Sequence, residues 1–243
     1  MSGIFTIAQR EFRSYFQTPV AYVFLVVFLL VSGAFTFYLG NYFTRGIADL
    51  EPFFRWHPWL YVFLVPAVTM RLWAEERHSG TGELLMTLPV PISQIIIGKF
   101  LAAWWFVLVA LACTLPLWIT VNYLGNPDHG VIFVSYLGSG LMAGAYIALG
   151  SAMSATTRSQ IVAFIITAAV TLVCVLLGFP VVTNFLEGWL PQSVLNLCLA
   201  MSFLSNFDDM MHGVLELPSI FYFVSSIIFW LYMTLLIVEY KKG

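Results

Sequence analysis

The chain has 243 residues, of which 60% are hydrophobic and only 9% are charged, and its net charge is −2. Soluble globular domains carry roughly a quarter charged residues, so this composition predicts an integral membrane protein and argues against a nucleic-acid partner. No polar interval is long enough to form a soluble domain. We therefore expect an all-α, polytopic fold with a single transmembrane domain over residues 1–243.

The first predicted element is an amphipathic helix over residues 3–17. Its polar face includes Arg10 and Arg13, and its apolar face consists of Ile4, Phe5, Ala8, Phe12, Tyr15 and Phe16. Such a helix is typical of one that lies in a membrane interface, and basic residues favour the anionic cytoplasmic leaflet. Pro19 then marks a bend into the first span. The alternative is a frayed terminal tail.

Six charge-poor windows are long enough to hold membrane spans, since about 20 apolar residues cross a bilayer as a helix. The predicted spans lie near residues 20–40, 56–73, 98–121, 131–155, 160–182 and 218–238. Two prolines inside these windows, Pro66 and Pro116, predict kinks in the second and third spans.

Lysine and arginine residues orient the predicted spans. Six spans place both termini on one side, and eight of the ten basic residues fall there: Arg10, Arg13, Arg71, Arg77, Lys99, Arg158, Lys241 and Lys242. Only Arg45 and Arg55 fall on the other side. By the positive-inside rule both termini are cytoplasmic, in the inner membrane of the cell.

The fourth predicted span is rich in small residues. Gly140 and Gly144 form a GxxxG pattern, which permits close contact between helices. Two interpretations remain open for these glycines: packing within one subunit, or a seam between two subunits.

Residues 183–217, between the fifth and sixth spans, are too apolar for a solvated loop and too interrupted for a span. We expect a pair of short re-entrant helices that dip into the outer leaflet and are buried against other spans.

The sequence contains no arrangement of residues typical of an enzyme. Asp208, Asp209 and His212 lie close in sequence but lack a further ligand nearby, so we predict no metal site. The string that ends in Gly98 and Lys99 lacks the first glycine and the final Ser or Thr of a phosphate-binding loop. We therefore expect no catalytic residue and no cofactor in this chain.

The stretch from Arg71 to Lys99 is the main polar interruption between spans. Residues 81–88 predict a short helix with Thr81 as its N-cap and an apolar face of Leu84, Leu85 and Leu88. Glycines precede this helix and prolines follow it, so it would act as a rigid lever between the second and third spans. The alternative is an ordinary charged loop.

Several motifs of residues 66–102 resemble those of ABC-2 type transporter permeases, and the closest branch is the gliding-motility type. The similar elements are the acidic pair with Arg, then GT, ELL, TLP and GK: Glu75-Glu76-Arg77, Gly80-Thr81, Glu83-Leu84-Leu85, Thr87-Leu88-Pro89 and Gly98-Lys99. Residues 203–242 are similar to the same branch. One departure is Gly82, where the family has a bulkier residue.

This resemblance implies a permease that dimerises, as a homo- or heterodimer, on two cytosolic ATPase subunits that bind ATP and Mg. The helix between spans 2 and 3 would be a coupling helix docked on the ATPase. The residues that would contact the ATPase or brace this helix are Glu75, Glu76, Arg77, Gly80, Thr81, Glu83, Leu84, Leu85, Thr87, Leu88 and Pro89.

Two functions fit the sequence. In the first, the chain couples ATP hydrolysis by a separate subunit to substrate export or translocation across the lipid bilayer. In the second, the complex transmits ATP-driven motion to a periplasmic or auxiliary membrane partner through residues 183–217. A membrane enzyme is the weakest hypothesis, because no catalytic set is present.

Overall fold

A computed structural model describes residues 3–79, 91–189 and 191–241, and all regular elements in these ranges are helical. Residues 80–90 lie outside the described residues. They contain the predicted coupling helix and these predicted coupling residues: Gly80, Thr81, Glu83, Leu84, Leu85, Thr87, Leu88 and Pro89.

The N-terminal helix α1 covers Gly3–Phe16, as the amphipathic pattern predicts. Its apolar face packs on helix α7, Ile92–Ala112, where Tyr15 stacks on Phe106 with ring centroids 5.1 Å apart and Phe5 meets Trp105 at 5.7 Å. Much of this face is therefore covered by protein. The location of α1 at a membrane interface stays a prediction.

The first long stretch is α2, Pro19–Ala34, which continues as a π-helical turn over Phe35–Leu39. Two short helices follow, α3 over Tyr42–Arg45 and α4 over Glu51–Phe54. Arg45, Asp49, Glu51 and Arg55 form ion pairs across this connection, the shortest being Arg45 to Glu51 at 2.7 Å.

The next helices are α5, His57–Thr69, and α6, Arg71–Ser79, with a break at Met70. Helix α7 is followed by α8, Leu115–Leu124. The break between α7 and α8 lies next to Pro116, where a kink is predicted.

The central helix is α9, His129–Thr156, and it contacts α5, α6, α7, α10, α13 and α14. Its glycines, alanines and serines permit this, because small side chains let neighbouring helices approach closely. A Cβ atom at Gly138, for example, would lie 2.7 Å from the sulfur of Met210.

The last part comprises α10, Gln160–Leu176; α11, Pro180–Glu187; α12, Gln192–Ala200; α13, Phe203–Met211; and α14, Leu217–Tyr240. Helices α10 and α11 meet at an angle of 67°. Three short helices thus lie between α10 and α14, where the sequence predicts two. Of these, α13 is the most buried, with Phe203, Phe207 and Met210 almost fully covered.

Four helical stretches among the described residues are long and apolar enough to cross a membrane: Ala21–Arg45, Ile92–Leu124, His129–Thr156 and Leu217–Tyr240. The bent pair of α10 and α11 makes a fifth if it is one span. The predicted second span near residues 56–73 is not among them, because α5 has only 13 residues, about 20 Å at the rise of a helix. Six spans therefore stay a prediction.

Candidate functional site at the charged end of the bundle

Most of the basic residues that the sequence places on one side meet at one end of the bundle. We call it the charged end: it comprises α1, α6, the first two turns of α7, the last turn of α9, Arg158 and Lys241. The opposite end, called the far end, contains α3, α4, the start of α9 and helices α11–α13.

Serine residues of α9 bind α6 at the charged end. The indole N–H of Trp73 donates to Ser151 Oγ at 3.0 Å. Ser154 Oγ accepts from the backbone N–H groups of Trp73 and Ala74, both at 3.2 Å, and donates to the carbonyl of Met70 at 3.0 Å. A side chain inserted into a helix ladder is a known cause of a break, so Ser154 explains why the helix is interrupted at Met70.

Two cations bind the last carbonyls of α9. Arg77 donates to the carbonyl of Ala155 at 2.7 Å, and the ammonium group of Lys241 donates to the carbonyls of Thr156 and Ala155. Cations are favourable there because the C-terminal end of a helix carries partial negative charge. Burial lowers the pKa of Arg77 and of Lys241, and the neighbouring charge of Arg158 lowers both further.

A buried ion pair connects α6 to α7. Lys99 is only 3% exposed, and its ammonium group lies 2.6 Å from the carboxylate of Glu76 and 3.7 Å from that of Glu11 on α1. The same ammonium group lies 5.6 Å from the ring centroid of Trp73. Burial raises the pKa of Glu76, and the attraction of Lys99 offsets part of that rise.

The two residues of the GK motif therefore have separate contacts. Gly98 lets α1 approach, since a Cβ atom there would lie 2.7 Å from the side chain of Ile7, while Lys99 pairs with Glu76. Because α6 and α7 flank residues 80–90, the Glu76–Lys99 ion pair joins the two ends of that connecting segment.

Of the predicted coupling residues, three lie in the described part of the chain. Glu75 is exposed, whereas Glu76 and Arg77 are half-buried. Sequence reasoning named Lys99 only as part of the GK motif and not as a coupling residue, and it did not select Glu11, Trp73, Ser151 or Ser154. A usable signal existed for Lys99, which is a lone charge in an apolar run, and for Glu11, which is the only acid of the first helix.

The predicted GxxxG residues face helices of the same chain. Trp104 of α7 donates its indole N–H to the carbonyl of Gly140 at 2.8 Å. A Cβ atom at Gly144 would lie 3.3 Å from that indole and 3.0 Å from Ile227 of α14. Both glycines are buried.

Helices α5 and α6 follow α9 from the far end to the charged end. The hydroxyl groups of Tyr61 and Ser139 lie 2.8 Å apart, and the pairs Trp73–Ser151 and Arg77–Ala155 repeat this contact further along. All three pairs are separated by 78 residues in the sequence. A constant separation means that the two elements run in the same direction and in register.

The sequence profile of a family described as ABC-2 family transporter protein matches residues 60–238, which is more than half of the chain. The chain belongs to this ABC-2 transporter family. It is therefore a multi-pass membrane protein and the permease component of an ABC transporter. ABC-2 permeases work with ATPase subunits at the membrane. No curated protein matches this ABC-2 chain.

Proposed function

We propose that this permease has six spans, forms a homo- or heterodimer, and rests on two cytosolic ATPase subunits through residues 81–89. ATP-driven closure of those subunits would push this segment and move the spans that flank it, which would drive export or translocation of a substrate. In this proposal ATP and Mg are bound by the partner, and the chain itself has no catalytic residue. The motif similarities favour the gliding-motility branch of the family.

The observation that carries the proposal is the Glu76–Lys99 ion pair. It connects the two helices that flank residues 80–90, at a buried position where breaking one partner is costly. Arg77 and Ser154 then connect α6 to the central helix α9. A force applied to residues 81–89 has a path of short polar contacts into the core of the bundle.

A second span formed by α5 and α6 is supported by its alignment with α9. Helix α9 is itself long and apolar enough to cross a membrane. Because α5 and α6 run beside it from Tyr61 to Arg77, they cover most of the same depth. Buried polar contacts with α9, such as Tyr61–Ser139 and Trp73–Ser151, join the two helices to it along this length.

The orientation is supported by the distribution of basic residues. Arg77, Lys99, Arg158 and Lys241 lie at the charged end, whereas the far end has Arg45 and Arg55, each paired with Glu51. The positive-inside rule therefore favours a cytoplasmic charged end, with both termini in the cytoplasm of a cell with an inner membrane. This is the side on which ATPase subunits are found.

The proposal is tested by expressing the chain with the candidate ATP-binding subunits encoded beside it. Leu85→Asp and Glu83→Lys are expected to abolish co-purification of the ATPase or the dependence of its activity on the permease. Glu187→Lys serves as the control, because Glu187 is an exposed acid at the far end. Unchanged assembly and unchanged coupling in both variants of the connecting segment would disprove the proposed role of this segment.

Transmission of motion to an outer partner is the second candidate function. It is favoured by α12 and α13, which present exposed apolar residues such as Leu197 together with the exposed acids Asp208 and Asp209. Deleting residues 208–213 is a poor test, because it removes Met210, which packs on Gly138. Leu197→Glu is a better one: loss of a periplasmic partner with solute movement retained would favour docking alone.

A further inference from the structure

An open groove of about 170 Å³ lies between α2, α5 and α7 at the side of the bundle. The residues that α5 and α6 contribute to it share one helix face, at positions i, i+3, i+4 and i+7: Leu64, Ala67, Val68 and Arg71. Seven residues of a helix correspond to about 10 Å. The groove is therefore long and narrow, and its volume is below that of pockets that enclose a drug-sized molecule.

The groove has one polar end and one apolar end. Helices α2 and α5 meet where Phe28 stacks on Tyr61, with ring centroids 6.4 Å apart. Thr18 precedes Phe28 by ten residues and Arg71 follows Tyr61 by ten residues, so both lie at the same end of the groove, together with Tyr15 of α1. This polar end belongs to the charged end of the bundle.

The side chains that line the rest of the groove on α2 are all apolar among the described residues: Ala21, Val23, Phe24 and Val27. Phe106 of α7 also lines it. A groove with polar groups at one end and apolar groups along its length fits an amphiphile.

Arg71 gives the polar end a positive charge. Its side chain is half-buried, Nε is buried without a hydrogen-bond partner, and no ion pair among the described residues includes it. Glu11 lies one turn before Tyr15 on α1, but its carboxylate is 3.0 Å from Arg10 and 3.7 Å from Lys99. No acid is found among the described residues that line the groove. A donor without a partner is unfavourable, so the polar end favours an anion.

The groove opens toward the bilayer. Val23 and Val27 at its edge are exposed, and they belong to the stretch Ala21–Arg45, which is long and apolar enough to cross a membrane. Basic pockets between membrane helices are typical sites for acidic lipid headgroups. A ligand of this groove therefore comes from the lipid phase.

We propose that this groove binds an anionic phospholipid from the leaflet at the charged end, with its phosphate near Arg71 and part of one acyl chain along α2 and α5. The lipid is a resident ligand of the permease and not its cargo. Binding needs only the groove, so it is measured on the isolated chain without any ATPase subunit.

The test compares phosphatidylglycerol with phosphatidylcholine of identical acyl chains, by native mass spectrometry of the purified chain in detergent. Phosphatidylglycerol is expected to bind about fivefold more tightly, as for one basic residue acting on a unit charge at a membrane surface. Glycerol phosphate, which has the anion without the chains, is expected not to compete. Equal affinity for the two lipids, or competition by glycerol phosphate, would overturn the proposal. Absence of lipid binding would also overturn it, and is expected if another protein chain covers the groove.

Variants at two arginines assign the polar end. Arg71→Gln is expected to abolish the preference for phosphatidylglycerol, whereas Arg71→Lys, which keeps the charge, is expected to retain it. Arg13→Gln is the matched control, because Arg13 is an exposed residue of α1 that does not line the groove. Equal losses in Arg71→Gln and Arg13→Gln would reduce the preference to a general attraction by the basic end and contradict the assignment.

A second pair of variants assigns the acyl chain. Ala67→Phe fills the groove and is expected to weaken binding of both lipids to the same extent. Val26→Phe is the control, because Val26 is an exposed apolar residue of α2 outside the groove. If melting shows that Ala67→Phe does not fold, Val27→Trp at the exposed edge replaces it. Unchanged lipid binding in a folded groove-filling variant would contradict the placement of the chain.

Because the assay contains no ATPase, its result is independent of coupling. A chain that binds the acidic lipid but does not assemble with ATP-binding subunits would refute the proposed function and leave the groove assignment intact. A chain that assembles and couples but shows no preference for the acidic lipid would do the reverse.

Discussion

The two ends of the bundle contain similar ion pairs in different surroundings. At the charged end, the Lys99 side chain is 4% exposed and pairs with Glu76 on a neighbouring helix. At the far end, the Arg55 side chain is 62% exposed and pairs with Glu51 one turn away. Exposed pairs contribute little to stability, while breaking a buried pair is costly. Loss of the buried Glu76–Lys99 pair is therefore expected to cost more stability than loss of the exposed Arg55–Glu51 pair.

The largest effect is expected from Lys99→Met, which removes the charge and keeps an unbranched side chain that is one heavy atom shorter. The variant removes the buried cation that lies beside the Glu76 carboxylate, so the free energy of unfolding should fall by about 3 kcal/mol. Unfolding in a denaturing detergent measures it. Arg55→Met is the control at the far end, where the loss should be below about 1 kcal/mol.

The double variant Lys99→Met with Glu76→Gln separates charge from packing. It should be more stable than Lys99→Met alone, because the carboxylate that lost its neighbouring cation is removed as well. Equal stability of the single and double variants would contradict the assignment of the loss to the charge of Glu76.

Ser154→Ala is expected to have the second largest effect. It removes the hydroxyl that bonds to Met70, Trp73 and Ala74, and unsatisfied buried groups cost about 1–3 kcal/mol. Hydrogen exchange at the amides of Trp73 and Ala74 should become faster. Ser225→Ala is the control, since the hydroxyl of Ser225 donates to the carbonyl of Tyr222 in its own helix and bonds to no other helix among the described residues. Unchanged protection at both amides would argue against a structural role for Ser154.

Gly98→Ala should destabilise the contact of α1 with α7 by about 1–2 kcal/mol, because the added methyl group collides with the branched side chain of Ile7. Protease cleavage within α1 should become faster. At Gly33 a Cβ atom has no neighbour within 4 Å, so Gly33→Ala should leave stability unchanged or slightly raised. Equal stability and equal cleavage rates of the two variants would show that the packing of α1 does not depend on its close approach to α7 at Gly98.

The smallest effects are expected in the pH dependence of stability, and their signs differ between the two ends. Burial raises the pKa of Glu76 above 4.5, so its contribution is present below pH 4.5 and is lost as the pH rises through the raised pKa. At Glu51, burial opposes ionisation, but the hydrogen bond and charge of Arg45 together with Arg55 lower the pKa below 4.5. Its contribution is present above pH 4.5 and is lost as the pH falls through the lowered pKa.

Melting temperatures between pH 3.5 and 8 would detect this difference. Glu76→Gln should remove a decline in stability toward higher pH, and Glu51→Gln should remove a decline toward lower pH. A pH profile that both variants change in the same direction would contradict the comparison of the two ends.

Sequence periodicity and charge-free windows predicted several helices to within about two residues. The amphipathic helix over 3–17 is found at Gly3–Phe16, and the last span near 218–238 at Leu217–Tyr240. The fifth predicted span, near 160–182, is instead broken after Leu176 and restarts at Pro180. The sequence signal for this break is Gly178 followed by Pro180, because glycine is typical of helix C-terminal ends and proline of the first helical turn.

The site was harder to predict than the helices. Glu76 was selected as part of a motif, but its partner Lys99 depends on the packing of α6 against α7, which no local pattern encodes. Ser151 and Ser154 were counted only as small residues that permit close packing. Their hydrogen bonds to α6 depend on the register between α5–α6 and α9, a property of the tertiary structure.

The orientation of α6 is held by contacts with a helix other than the one that precedes it. In an uninterrupted helix, each inserted residue would turn everything after it by about 100°. Here the rotation of α6 about its axis is fixed by its hydrogen bonds to Ser154 and to the carbonyl of Ala155, both on α9. Glu76 therefore faces Lys99 because α9 holds α6 in place, and not only because α5 precedes it.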